Sequence, residues 1–194
     1  GRLDATNTVT PEATIITNIA LDHQSHLGNT LEAIAGEKAH IIKAGKPFFH
    51  GVLPEGAKEV IYSRAKEMNS AIHPPRAAVP EISGFDGVCQ CFDYDGRKIS
   101  LALPGRMQRE NFRIVYEVLD CFSKAWNFSL DTALEGLKMV RWPARFQHVG
   151  NVIIDGGHNP QCIEALVKNV RDYLNGRRLT VLTGVLADKD FNEM

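Results

Sequence analysis

The spacing of apolar residues changes period several times along this chain, and each change marks an element. Ile15 to Leu21 is an almost unbroken apolar and β-branched run, the pattern of a strand buried on both faces of a parallel sheet. It ends in the polar pair Asp22-His23, and open α/β sheets bind ligands beyond the carboxyl ends of their strands. From Leu31 the period lengthens. Leu31, Ile34, Ala35, Ile41 and Ile42 form a helical stripe, Asn29 or Thr30 can cap it, and Glu32 follows Asn29 at capping-box spacing. A second strand is expected over 47–53, a helix over about 55–69, and a short extended piece before Pro74-Pro75. Strand, helix, strand, helix is the order of a doubly wound parallel sheet, so the fold class is α/β.

From Arg76 to Pro80 the composition becomes linker-like. Residues 88–103 then alternate around Asp95-Gly96, a hairpin turn signal, which predicts a small antiparallel element. Leu103-Pro104-Gly105 breaks that pattern. A helix is expected over 112–126 with Phe112, Val115, Leu119 and Phe122 inward, and another over about 130–140 with Ser129 as its cap. Residues 151–155 read as a buried strand ending in Asp155-Gly156-Gly157-His158-Asn159-Pro160, with a helix beginning near Pro160 and a last apolar strand after it.

Composition narrows the functional classes. With 194 residues, 44% hydrophobic and 23% charged, the chain has the balance of a globular protein. A net charge of -1 gives no electrostatic case for nucleic acid or an anionic membrane as partner. Cys89, Cys91, Cys121 and Cys162 form no CxxC pair and read as reduced thiols of a cytoplasmic protein. No run is long enough to span a bilayer, and no signal peptide is evident. The chain opens without methionine and closes soon after its last strand, so it is read as an internal piece of a longer enzyme.

A few residues carry chemistry. Lys38 falls on the apolar stripe of its helix, so it either snorkels to water or has a lowered pKa and a reactive neutral amine. Asp4 and Asn7 can shape a turn through local side-chain hydrogen bonds. Gln108 and Asn111 share a helix face and either hydrogen-bond a ligand or cap the helix. Arg145 sits in a segment of little periodicity, where a structural salt bridge is the default reading, and the Asp155–Pro160 turn is a capped turn or a ligand-binding one.

Six blocks together resemble one known family. They are GRLDATN at 1–7, ALDHxxxLG followed by GEKAxIIK across 20–43, LPGxxQxxN at 103–111, RWPARFQ at 141–147, DGGHNP at 155–160 and DKD at 188–190. In that order they resemble the folylpolyglutamate synthase and dihydrofolate synthase family, the folate branch of the Mur ligases. The resemblance spans the whole chain and implies ATP-dependent joining of L-glutamate to a folate or dihydropteroate carboxylate, through an acyl phosphate. It implies part of a central ATP-binding domain over 1–146 and the start of a Rossmann-like glutamate-ligase domain over 147–194. It further implies Lys38 carbamylated and His158 catalytic; Asn111, Arg145, Asp155 and His158 on the nucleotide; Asp4 and Ala5 on the substrate; and His23 on Mg²⁺. Lys189 and Asp190 resemble a pair near the glutamate or nucleotide side of the cleft. The family usually has alanine where Gly157 stands. No GxxxxGK[ST] loop occurs, so this piece alone is not expected to turn over, and the full-length enzyme is expected to be a monomer. Other readings are another Mur-family amide ligase, disfavoured by GRLDATN and LDHxxxLG, and a non-catalytic nucleotide-binding module. A two-metal hydrolase built on carbamyl-Lys38 would need an HxH pair that is not visible.

Overall fold

A computed structural model describes residues 2, 4–20 and 29–184. The chain divides into two units, one comprising Gly1–Arg76 with Asn111–Phe122, the other Ala77–Glu110 with Ser123–Met194.

The first unit is built on a parallel sheet of β1 (Thr14–Ile16), β2 (Phe48–His50) and β3 (Ile72–His73), in that spatial order. Helices α1 (Leu31–Ala39) and α2 (Glu55–Glu67) supply the crossovers and pack together over it. Ile34, Ala35, Phe48, Ala57, Ile61 and Ala65 are fully enclosed between helices and sheet. The capping role falls to Thr30, whose hydroxyl accepts from the Ala33 amide at 3.1 Å. The run expected to be buried on both faces is so only in part. β1 covers three residues at the sheet edge and Ile15 is 40% exposed, whereas the central β2 is buried throughout. Leu21 and Asp22-His23 lie outside the described residues.

A long helix, α3 (Arg106–Ala125), contributes its middle to this unit and its ends to the other. It starts six residues before the expected position, directly after Gly105, whose φ of +118° ends the preceding strand without steric cost. Its inward face is also rotated from expectation. Val115 is 40% exposed, while Phe112 and Tyr116 are buried together with Arg109, Arg113 and Glu117. Charged residues occupying a buried stripe mislead a reading based on apolarity alone. Within the first unit, Arg76 donates to Glu117 and Asp120 at 2.8 and 2.7 Å and lies 4.9 Å from the Tyr116 ring centroid, which fastens α3 to the end of the 1–76 segment.

The second unit holds an antiparallel sheet of β4 (Gly84–Phe85), β5 (Gln90–Tyr94) and β6 (Arg97–Leu101). Asp95 and Gly96 turn the β5–β6 hairpin with φ of 51° and 72°, the positive pair that a type I′ turn requires. The helix expected over 130–140 is α4 (Leu130–Glu135), capped by Ser129, and tightens into a 3₁₀ turn at Gly136–Met139. A second hairpin, β7 (Gln147–Val149) and β8 (Val152–Ile154), leads to α5 (Pro160–Leu174). β8 falls where a buried strand is expected over 151–155, but it is not buried: it pairs antiparallel with β7 alone, through Gly150, and leaves Val152 59% and Ile154 44% exposed. No strand forms over 178–184, where Val181 is 79% and Leu182 99% exposed, because none of the described strands offers that segment a ladder. All four cysteines are free, and no described helix is long and apolar enough to cross a membrane.

Candidate functional site

The segment joining α4 to β7 holds two non-glycine residues of positive φ only two positions apart. Ala144 and Phe146 both have positive φ, 55° and 46°, a region that costs a residue with a side chain free energy unless its surroundings impose it. Here they do. The Ala144 amide donates to the Gln147 side chain at 3.0 Å, its carbonyl accepts from the Gly156 amide at 2.9 Å, and the Phe146 amide donates to Asp155 Oδ2 at 2.8 Å. Arg145 stands between the two left-handed residues. Its side chain is exposed and has no hydrogen bond or ion pair among the described residues, so a structural salt bridge does not account for it.

Asp155 is the hinge of this arrangement, because its other oxygen accepts from the Gly157 amide at 2.8 Å. One carboxylate thus ties the Arg145 segment to the glycine turn ahead of α5. Asn159 caps that helix by accepting from the Cys162 amide at 2.8 Å, with Pro160 at its first position. His158 is exposed, and its Nδ1 donates to the Gly156 carbonyl at 3.0 Å, which leaves Nε2 without a partner among the described residues. The structure therefore brings Arg145, Asp155 and His158 together. Beside Arg145 lies a cavity of about 300 Å³, lined by Leu103, Pro104, Trp142, Phe146 and His148 among others. Burial and the Arg177 charge lower the His148 pKa.

In the first unit Arg2 and residues 4–7 run along the end of α1. Arg2 reaches Glu37 at 3.2 Å, the Asn7 amide group donates to the His40 carbonyl at 3.2 Å, and Lys43 donates to the Asn7 carbonyl at 2.6 Å. Asp4 and Ala5 are thereby held near the helix that carries Lys38, which is half-buried in its last turn. Asp4 also shapes its own turn: Oδ1 accepts from the Thr6 amide and hydroxyl at 2.8 and 2.6 Å, which lowers its pKa. Asn111 is half-buried on α3 in the same unit. His23, Lys189 and Asp190 lie outside the described residues.

Sequence reasoning missed three members of the second unit. Arg109 is 2% exposed and Gln90 fully buried, with Arg109 Nη1 donating to Gln90 Oε1 at 2.7 Å and to the Tyr173 hydroxyl at 3.1 Å. The alternation of β5 does hold a signal, since Gln90 shares its parity with Phe92 and Tyr94. His50 was missed as well. It is buried at the carboxyl end of β2, donates from Nδ1 to the Gly51 carbonyl at 2.6 Å and accepts from Tyr62 at 3.0 Å.

Residues 144–194 match the family described as Mur ligase, glutamate ligase domain. The folylpolyglutamate synthase of Lacticaseibacillus casei is 33% identical over all of this chain and 48% of its own length. Among solved structures, an FPGS–AMPPCP–folate complex superposes with a TM-score of 0.85 at 31% identity, over 99% of this chain and 49% of that one. Along its whole length the chain is similar to folylpolyglutamate and dihydrofolate synthases. It spans about half the length of the curated relatives it matches. An Escherichia coli member of the folylpolyglutamate synthase and dihydrofolate synthase family, solved with DHPP and ADP, covers 98% of this chain and 45% of its own, with a TM-score of 0.74 and 29% identity. The family read from the six sequence blocks is the one found, and its Mur-ligase-type α/β architecture is the one observed.

Proposed function

We propose that the protein carrying this sequence joins L-glutamate to the carboxylate of a folate or a dihydropteroate at the expense of ATP, as a cytoplasmic monomer. The observation that carries the reading is Arg145, a guanidinium with no hydrogen bond or ion pair among the described residues, held between two left-handed residues beside a cavity, in a chain similar to proteins solved with AMPPCP, ADP and folate. In such a reaction a substrate carboxylate oxygen attacks the γ-phosphorus and ADP leaves. The glutamate amine, having lost a proton, then attacks the acyl phosphate carbon, and phosphate departs. Both steps gather negative charge, so fixed cationic groups contribute most of the acceleration.

In this reading the planar fork of Arg145 clamps phosphate oxygens. Asp155 orients that fork through the Phe146 amide and also borders the nucleotide, and the free Nε2 of His158 handles a proton or a phosphate oxygen. Asn111 contacts the nucleotide, while Asp4 and Ala5 meet the pterin end of the acceptor. Lys38 first gives up a proton to solvent; the lone pair of the resulting amine attacks CO₂, a second proton leaves to solvent, and a carbamate anion stands where the ammonium was. Mg²⁺ would offset phosphate charge, with His23 and oxygen donors as ligands. The described residues do not by themselves fit a metal, since no three His, Cys, Asp or Glu side chains gather among them. Residues 1–146 would serve the nucleotide and acceptor, and 147–194 the glutamate-ligase half.

The test is glutamate-dependent phosphate release from ATP by the full-length protein, with dihydropteroate and with tetrahydrofolate. Release with either acceptor is expected, falling by roughly 10²–10³ in Arg145→Ala and lost in Lys38→Ala. No release with either acceptor overturns the ligase reading, and ATP binding without release would leave a nucleotide-binding module.

A further inference from the structure

Four stretches of the second unit line the cavity beside Arg145, residues 87–88, 102–104, 141–143 and 145–148, and two of these walls, 102–104 and 145–148, share a support. Tyr173, in the last turn of α5, belongs to neither wall and holds both. Its hydroxyl accepts from the Gly105 amide at 3.0 Å and donates to Gln90 Oε1 at 2.8 Å. Gln90 in turn donates to the Leu103 carbonyl at 2.5 Å and the Gly105 carbonyl at 3.1 Å, which fixes the first wall. The phenol ring lies 5.7 Å from the ring of Phe146, whose amide is bonded to Asp155, and this fixes the second. One turn earlier, the Asn169 side chain occupies the space where a Cβ on Gly105 would stand, so α5 is seated on the same turn twice. Burial raises the Tyr173 pKa, and the phenol keeps the proton it donates.

We propose that Tyr173 is a positioning residue for the ligand of this cavity: it sets the distance between the 102–104 wall and the Arg145 segment without touching what is bound. The identity of that ligand as a nucleotide rests on the function proposed above. Tyr173→Phe keeps the ring and removes only the bonds to Gly105, Gln90 and Arg109, so the fold is retained while the two walls are uncoupled.

ATP binding to the full-length protein is measured by calorimetry for the unmodified protein, Tyr173→Phe, Arg145→Ala and the double variant. Tyr173→Phe is expected to weaken binding by about 5- to 10-fold, and the double variant to fall short of the product of the single losses by about threefold or more, because Tyr173 acts through Arg145. A purely structural role gives multiplicative losses and overturns the proposal. So does an unchanged affinity in Tyr173→Phe when Arg145→Ala weakens binding, which leaves the nucleotide reading standing. If the unmodified protein binds no ATP, the nucleotide reading fails and amide hydrogen exchange decides the coupling. Faster exchange at both Gly105 and Phe146 in Tyr173→Phe upholds it, and faster exchange at Gly105 alone overturns it.

Discussion

In the first unit, the residues between helices α1 and α2 and the sheet with no exposure include Ile34, Ala35, Phe48, Ala57 and Ile61, all apolar, its buried charges Arg113 and Glu117 lying on α3, whereas the second unit buries Gln90 completely and Arg109 to within 2%. An apolar core is a matter of volume and tolerates rearrangement, so its sequence needs only the right period. A buried guanidinium surrounded by the Pro80 carbonyl at 2.9 Å, the Gln90 amide oxygen and the Tyr173 hydroxyl is a matter of direction. Each partner is left with an unmet bond if another is removed, and no shift of packing replaces it. The first unit should therefore fail by losing contact area and the second by losing geometry.

The largest effect comes from cutting volume out of the first unit. Phe48→Ala is expected to cost about 3–5 kcal/mol. Trp126 and Trp142 both belong to the second unit, so tryptophan fluorescence should unfold at higher urea than circular dichroism in this variant. Coincident transitions would break the comparison. Next in size is Arg109→Leu, which fills similar volume yet leaves the oxygens of Gln90, Tyr173 and Pro80 short of a donor, at a cost of about 3 kcal/mol. Here the fluorescence midpoint should fall. A neutral result would mean that the polar cluster is replaceable by packing, as in the first unit.

Much of this contrast could be foreseen and some could not. The parallel unit was legible because Ile34, Ala35 and Ile42 recur at helical spacing and Phe48-Phe49 reads as a buried strand. The hairpin was legible from Asp95-Gly96, and the α5 start from Asn159-Pro160. The register of α3 was not, since a stripe holding Arg109, Arg113 and Glu117 looks like a solvated face until its partners are known. Those partners are 19 and 64 residues away from Arg109 in sequence, a separation that no local pattern encodes. At the site, Arg145, Asp155 and His158 were located through motif order. The left-handed backbone around Arg145 was invisible, because neither Ala144 nor Phe146 is a residue type that announces positive φ.

Smaller effects sharpen the comparison where the units are built alike. Thr30 caps α1 and Asn159 caps α5, and alanine at either position should cost about 1 kcal/mol, read as equal shifts of the urea midpoint. A larger loss at Asn159 would show that the turn ahead of α5 depends on its cap as well as on Asp155.

The smallest effect is a pH dependence. Desolvation lowers the folded pKa of His50 below its ordinary value of about 6.5, so the unfolded chain binds the proton more readily than the folded one. Its contribution is complete above about pH 6.5 and is lost as pH falls from there through the folded pKa. Urea midpoints at about pH 7.5 and 5.5 should separate less in His50→Gln than in the unmodified protein. His148, lowered in the same sense in the second unit but more exposed, should contribute less. An equal separation with and without His50 would place the acid sensitivity elsewhere.

The turn between β5 and β6 has a consequence for how the protein ages in storage. An aspartate followed by glycine is prone to succinimide formation, in which the glycine peptide nitrogen attacks the aspartyl side-chain carbonyl and the ring reopens largely as an isoaspartyl linkage. That attack needs the backbone to swing out of its resting dihedrals. Asp95 and Gly96 are clamped at both ends by a ladder running from Tyr94–Arg97 to Gln90–Leu101. While the ladder holds, that swing is opposed, and when it opens the backbone is free to make it. Isoaspartate at residue 95, counted by mass spectrometry after months in the cold, becomes a chemical clock that runs only while the second unit is open.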